Sequence, residues 1–168
     1  MRRGDVAREP YRERGRLTGN VLTTTRARGK ERRPEPAFLF LILAQAAHSI
    51  EEYATRLYEV FAPARFVSGL VSSDLSVGFV VVNAALVTFG LWCWAFPVRS
   101  GWRIAPALVL FWVVLELGNG IGHVSLAISR GGYFPGLVTA PLLLVGAGWL
   151  IRSTVAREPF HGAGRSKE

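Results

Sequence analysis

Two groups of polar residues stand out because each lies inside a long apolar stretch of the sequence. The groups are His48, Glu51 and Glu52, and Glu116, Asn119 and His123. In a helix the first group has the spacing i, i+3, i+4 and the second i, i+3, i+7, so each forms a stripe along one helix face. Imidazole and carboxylate groups are costly to place in an apolar environment, which makes both stripes candidates for a functional site.

The residue types of the two stripes are those that bind divalent metal ions. Two histidines and one glutamate form the ligand set of a catalytic zinc site, which keeps a position open for water. On this model we predict His48, Glu51 and His123 as ligands, with Glu52 as a further ligand or as the general base. A site with two iron or two manganese ions, built from all three carboxylates and both imidazoles on facing helices, fits the same residues. Mixed oxygen and nitrogen ligands do not distinguish Zn, Fe and Mn.

Three residues are predicted to take part in chemistry beside the metal ion. Glu52 or Glu116 would move a proton, and Asn119 would orient a ligand or the substrate. The segment HSIEE at 48–52 lacks the second histidine of the HExxH and HxxEH protease signatures, so it supports peptidase activity only weakly.

Four apolar stretches supply the helices that must position these residues. They cover about 37–57, 75–96, 104–128 and 133–151, each near the roughly 20 residues that cross a bilayer. At a rise of about 1.5 Å per residue, both polar stripes lie roughly 16 to 28 Å from the inner edge, in the outer half of the bilayer, and Asn83 comes level with them. The sequence therefore predicts an all-α integral membrane protein, a four-helix bundle with short connections.

Charge is segregated along the chain. Residues 1–36 contain 11 Lys and Arg against 5 Asp and Glu, residues 37–151 contain 5 of each, and residues 152–168 contain 4 against 2. A nucleic-acid-binding domain would carry its basic residues on a folded face, so we predict membrane lipid as a partner and no nucleic acid. The excess of Lys and Arg in both tails and at Arg99 and Arg103 predicts that both termini are cytoplasmic.

These patterns divide the chain into three parts. We predict a disordered basic cytoplasmic tail over 1–36, a four-helix domain over 37–151 and a short cytoplasmic tail over 152–168, in a multi-pass protein of the cell membrane. The single cysteine, Cys93, excludes an internal disulfide. We interpret Gly118 and Gly122 as a GxxxG packing surface, and the YFPG segment at 133–136 as the turn that starts the last helix.

Several of these features together resemble one known family. The HxxEE pattern at 48–52 lies in the first stretch, Asn119 and His123 form NxxxH in the third, and YFPG precedes the fourth. This combination resembles the HXXEE domain family of small multi-pass membrane proteins, over about residues 37–151. The resemblance implies a membrane enzyme, inferred from the motif, with no established activity. Glu116 is outside the motif, so its role depends on helix geometry alone.

Three functions fit the sequence. The first is a membrane-embedded metal-dependent enzyme whose substrate, a lipid or another small apolar molecule, enters from the bilayer. The second is a proton- or ion-coupled carrier, which with only four helices would have to oligomerise. The third is a structural membrane protein whose polar stripes hold the helices together.

Overall fold

The computed structural model describes residues 34–155, and this part of the chain has six α-helices and no strand. The helices are α1 (Glu35–Ala54), α2 (Leu57–Val60), α3 (Ala62–Val71), α4 (Leu75–Cys93), α5 (Ala105–Arg130) and α6 (Ala140–Val155). A π-helical turn, Trp94–Val98, extends α4. The predicted tails, 1–36 and 152–168, lie outside the described residues except at their inner ends, which belong to α1 and α6.

Helix α1 begins and ends at recognisable signals. Prolines at its first turn cost no helical hydrogen bond, and Glu35 places a negative charge at the N-terminus. At the other end, the Thr55 hydroxyl donates to the Glu51 carbonyl at 2.7 Å, and Arg56 takes a left-handed conformation with φ 57°. The positive φ ends the helical path at Ala54, slightly before the predicted end at residue 57.

The connection from α1 to α4 is longer than the sequence analysis predicted. It contains α2 and α3, both far too short to cross a bilayer, which is why counting apolar stretches of about 20 residues missed them. Leu57 and Tyr58 of α2 are buried in a small apolar cluster with Phe79, Ala127 and Phe134. The prediction of short connections was therefore wrong at this point.

The last helix begins later than predicted. Helix α5 ends at Arg130, where Gly131 caps it in the left-handed conformation (φ 66°), and α6 begins only at Ala140 rather than at residue 133. Residues 131–139 form a loop, hereafter the 131–139 loop. Its backbone is held by side chains of α1 and α5, as described below.

Helix α1 is central to the packing. It contacts α4 on one side and α6 on the other, and α5 packs mainly against α6. Their main apolar core contains the fully buried Phe38, Leu41, Ile42, Trp112 and Leu150. The predicted GxxxG surface is not part of it, because a Cβ added at Gly118 or Gly122 would meet no atom within 4 Å. The close contact of α5 is instead at Gly120, where an added Cβ would lie 2.8 Å from Leu144.

Two helices of the described chain are long and apolar enough to cross a membrane. They are Leu75–Val98, which includes the π-helical turn, and Ala105–Arg130. Helix α6 is apolar but shorter, and α1 combines an apolar first half with the polar stripe at 48–52.

Candidate metal site

His48 and Glu52 lie one turn apart on α1 and share its buried face. His48 is fully buried and Glu52 is 5% exposed, and the His48 Nε2 atom is 3.3 Å from Glu52 Oε1. The i, i+4 spacing produces this contact directly, because side chains four residues apart are neighbours on a helix.

His123 joins this pair from α5. Its Nε2 atom lies 3.0 Å from the same oxygen, Glu52 Oε1. The His48 and His123 rings are perpendicular, with centroids 4.7 Å apart. One ligand atom from each of His48, Glu52 and His123 lies within 4.8 Å of the others, so the three side chains could hold a single ion.

Glu51 has a different environment from Glu52, although it is the next residue. Its carboxylate accepts hydrogen bonds from the backbone N–H of Val138 (3.0 Å) and of Thr139 (2.8 Å), and from the hydroxyls of Thr139 (2.6 Å) and Tyr133 (2.7 Å). Both N–H groups belong to the turn immediately before α6, which begins at Ala140. Glu51 therefore fixes the 131–139 loop to α1 instead of pointing at the two imidazoles.

The 131–139 loop in turn sets the tautomer of both histidines. The Thr139 hydroxyl gives its single proton to Glu51, so it can only accept from His48 Nδ1, 2.7 Å away. The carbonyl of Pro135 is likewise only an acceptor, and His123 Nδ1 contacts it. A neutral imidazole that donates through Nδ1 carries its lone pair on Nε2.

With both imidazoles neutral in these tautomers, three lone-pair atoms converge without a hydrogen between them. Both Nε2 atoms face Glu52 Oε1, and His48 Nε2 is buried with no hydrogen-bond partner. A buried polar atom without a partner is costly, and a carboxylate oxygen facing two lone pairs adds repulsion. A shared cation, either a metal ion or a proton, removes both costs.

Gly136 allows the 131–139 loop to lie against both rings. It has φ +89°, and an added Cβ would lie 2.6 Å from His123 Nδ1 and 2.7 Å from His48 Cε1. Only glycine fits this conformation and this space. The YFPG segment is thus more than the turn predicted from the sequence, because Tyr133, Pro135 and Gly136 all contact the residues of the site.

Glu116 and Asn119 belong to a second polar group beside the first. Glu116 is fully buried, and the Gln45 amide, oriented with its nitrogen toward Glu116, donates to the two carboxylate oxygens at 2.8 and 3.2 Å. With Gln45 in this orientation, the atom 3.4 Å from Asn119 Nδ2 is the Gln45 amide nitrogen, so these two amides are in contact without a hydrogen bond. Ser49 Oγ lies 3.1 Å from Gln45 and 2.8 Å from Asn83 Oδ1. This chain of contacts connects α5, α1 and α4.

In the structure the predicted residues therefore fall into three groups. His48, Glu52 and His123 converge, Glu51 holds the 131–139 loop, and Glu116, Asn119 and Asn83 lie in the second polar group. The sequence analysis missed Gln45 and Thr139. Gln45 could have been found as a polar residue in an apolar stretch, one turn before His48. Thr139 precedes Ala-Pro at the start of α6, which indicates a helix cap and not a partner of His48.

An open groove leads to this region from the side of the molecule. Its volume is about 650 Å³, within the range of small-molecule sites. Helices α1, α3, α4 and α5 all contribute to its walls. Its polar lining is formed by Gln45, Glu52, Ser68, Asn83 and Asn119, and Phe61, Val67, Phe79, Leu86, Val114 and Leu115 are among its apolar lining.

Comparison with known proteins gives one match. A family model described as a protein of unknown function with HXXEE motif matches residues 39–150. No curated protein and no solved structure matches the chain.

Proposed function

The chain belongs to the HXXEE family, and from its site we propose that it is a membrane-embedded metal-dependent enzyme acting on a lipid-like substrate. The observation that carries the proposal is the convergence of three buried side chains: both imidazole Nε2 atoms lie within 3.3 Å of Glu52 Oε1, and one ligand atom of each residue lies within 4.8 Å of the others.

The residues present fit a divalent ion. His48 Nε2 is buried without a partner, and both Nδ1 atoms are engaged in the hydrogen bonds that direct Nε2 toward the site. Metal-binding histidines typically have such a partner on the second ring nitrogen. His48, Glu52 and His123 would hold the ion, a set used by zinc hydrolases and by non-haem iron enzymes.

This ligand set refines the one expected from the sequence. The prediction had Glu51 as a ligand and Glu52 as a further ligand or the general base. We propose instead that Glu52 is the carboxylate ligand and that Glu51 holds the 131–139 loop and, through Thr139, His48. Held by two imidazoles and one carboxylate, a divalent ion would supply Lewis-acid chemistry.

The second polar group would handle the proton and the orientation of the substrate. Glu116 is buried beside Gln45, which suits it to holding or releasing a proton during the reaction. Asn119 and Asn83 line the groove that contains Glu52, so their amides are available to bind a polar group of the substrate.

Exposed apolar surface supports the membrane setting. Only 17% of the candidate span in Leu75–Val98 is buried, and 33% of that in Ala105–Arg130, whereas a core helix of a soluble protein would be mostly buried. Val81 on α4, Val114 on α5 and Val145 on α6 are among the exposed apolar side chains. We therefore propose that α1, α4, α5 and α6 form a bundle across the membrane, with both termini cytoplasmic.

Mass spectrometry of membrane lipids tests the proposed activity. The full chain, loaded in turn with Zn²⁺, Mn²⁺ or Fe²⁺, is incubated with a total membrane-lipid extract, and His48→Ala is treated in parallel. We expect one lipid class to be converted by the wild type and not by the variant, with cleavage and the addition of water if the reaction is hydrolysis. An unchanged lipid profile with a fully loaded site would contradict the enzyme assignment.

A proton-coupled carrier is the second candidate, and one observation favours it. Glu116 is fully buried on the long apolar helix α5, and carboxyl groups inside a membrane take part in proton relays. Proton flux into vesicles that contain the chain, lost in Glu116→Gln, would support this function instead of the enzyme.

A further inference from the structure

Helix α3 has an exposed apolar face that no described residue covers. Phe66 is 67% exposed, Leu70 70%, Val71 49% and Val67 41%. Residues four apart are neighbours on a helix, so these side chains form two adjacent rows. A contiguous apolar face of this kind marks an interaction surface.

A backbone contact fixes the direction of this face. Ser68, on the opposite side of α3, is 1% exposed. A Cβ added at Gly78 of α4 would lie 2.1 Å from the Ser68 carbonyl oxygen, so the two backbones touch there. The helix cannot rotate about its axis without losing this contact, and Phe66 and Leu70 stay on the outside.

The connection to α4 fixes the position of α3 along the proposed bilayer. The helix has 10 residues and is therefore about 15 Å long, half of what crosses the hydrocarbon layer. Residues 72–74 link it to α4 and reach at most about 10 Å. Helix α3 must consequently lie next to the point where α4 enters the membrane.

The charge of α3 fits a phospholipid surface. Its single charged residue is Arg65, which is exposed, and it contains no acidic residue. Basic residues beside an apolar face are typical of helices that lie in the membrane interface and bind lipid phosphates. We propose that α3 lies in the boundary between headgroups and acyl chains, with Phe66, Val67, Leu70 and Val71 in contact with lipid. This inference rests on the membrane location in the proposed function.

One consequence concerns access to the candidate metal site. Pro63, Ala64 and Val67 of α3 line the groove that also contains Glu52. An α3 that lies in the interface places the wall of this groove at the level of the lipid ester and headgroup atoms. A lipid could then present a polar group to the groove while its chain stays in the apolar part.

Spin labels on α3 test the proposal. In the full chain with Cys93→Ala, nitroxides are attached at Phe66→Cys and, separately, at Leu70→Cys, in vesicles of phosphatidylcholine and phosphatidylglycerol. Collisions with oxygen, which enters lipid, and with a nickel chelate, which stays in water, are measured. Glu59→Cys on α2, whose side chain is 48% exposed, is the water-facing control, and Val81→Cys on α4 is the lipid-facing control.

The two control positions distinguish a failure of this inference from a failure of the proposed function. We expect the labels at 66 and 70 to collide with oxygen and to lose collisions with nickel relative to position 59. Nickel collisions as frequent as at position 59, or spin–spin broadening from a second copy, would overturn the inference if the label at 81 is in lipid. If the label at 81 is also exposed to nickel, the membrane setting of the proposed function itself fails.

Discussion

Thr139 connects Glu51, the first acidic residue of the motif, to the imidazole of His48. Its hydroxyl donates to Glu51 and accepts from His48 Nδ1. Glu51 thereby acts on the imidazole through one intervening side chain, while Glu52 contacts both histidines directly. Adjacent glutamates on a helix point about 100° apart, and this difference in direction explains why the motif contains two of them.

The first prediction concerns this hydroxyl. Thr139→Val keeps the size of the side chain and removes the acceptor of His48 Nδ1, so we expect the affinity for a divalent ion to fall about 10- to 100-fold. Competition with a coloured chelator measures the change. Thr139→Ser should restore most of the affinity. Thr154→Val is the control, because Thr154 lies within α6 and its hydroxyl bonds only to backbone carbonyls of that helix. An affinity equal to that of the wild type would contradict the positioning role.

The second prediction compares two glycines. Gly136→Ala introduces a Cβ where only 2.6 Å separates it from His123 Nδ1, at φ +89°, and we expect a loss of about 1–3 kcal/mol of stability. Gly148→Ala, in the helix interior with no atom within 4 Å of the added Cβ, should raise stability by about 0.5–1 kcal/mol. Thermal unfolding in detergent measures both changes. The packing described at Gly136 is wrong if both variants shift the melting temperature alike.

The residue types predicted which side chains belong to the site, but not which of them contact one another. The sequence indicated that imidazoles and carboxylates of the two stripes would lie on facing helix sides, and His48, Glu52 and His123 do converge. It could not show which glutamate faces His123, because that depends on where the 131–139 loop lies. Contacts such as those of Thr139 to His48, 91 residues apart, have no signature in local spacing.

Among the helices, α4 begins at an N-cap, Asp74, whose contribution to stability can be measured as a function of pH. Asp74 Oδ1 accepts hydrogen bonds from the Ser76 hydroxyl at 2.7 Å and from the backbone N–H of Ser76 and Val77 at 2.9 and 3.3 Å. The Ser76 side chain first, and then the two backbone groups, hold the pKa of this carboxyl below its ordinary value. The ionised form is thus favoured in the folded state.

The third prediction follows from this cap. A lowered pKa in the folded state means that the carboxylate stabilises the protein at neutral pH and that this contribution is lost as pH falls through the lowered pKa. We expect Asp74→Ala to lower the melting temperature at pH 7, and the difference from the wild type to shrink below about pH 4. Ser73→Ala, at the exposed preceding residue, is the control. A difference that does not depend on pH would contradict the ionised cap.

Helix boundaries were predicted most accurately where a residue typical of a helix start stands at the beginning of the apolar stretch. Helices α4 and α5 begin within one residue of the predicted positions, next to Asp74 and near Pro106. Helix α6 was predicted too early, because residues 133–139 are apolar enough to continue it. Pro135 and Gly136 direct that segment onto the histidines instead, and Glu51 supplies the hydrogen bonds that a helix would otherwise provide.

At the scale of the whole molecule, the distribution of charge predicts the topology. The fourth prediction is that both termini are cytoplasmic, because Lys and Arg are concentrated in residues 1–36 and 152–168. Reporter fusions at each end, of a protein that fluoresces only in the cytoplasm and of a phosphatase active only outside it, measure the orientation. Fluorescence at both ends confirms an even number of crossings; opposite results at the two ends would contradict four spans.

The metal content of the purified chain shows whether His48, Glu52 and His123 bind an ion. The wild type, His48→Ala, Glu52→Gln and His123→Ala are purified in mild detergent without chelators and dialysed, and bound Zn, Fe and Mn are measured by elemental mass spectrometry. His161→Ala, which removes the remaining histidine, is the matched control, and circular dichroism verifies that each variant is folded. We expect nearly stoichiometric metal in the wild type and in His161→Ala and its loss in the other three. A folded wild type without bound metal, or equal content in all five proteins, would contradict this expectation.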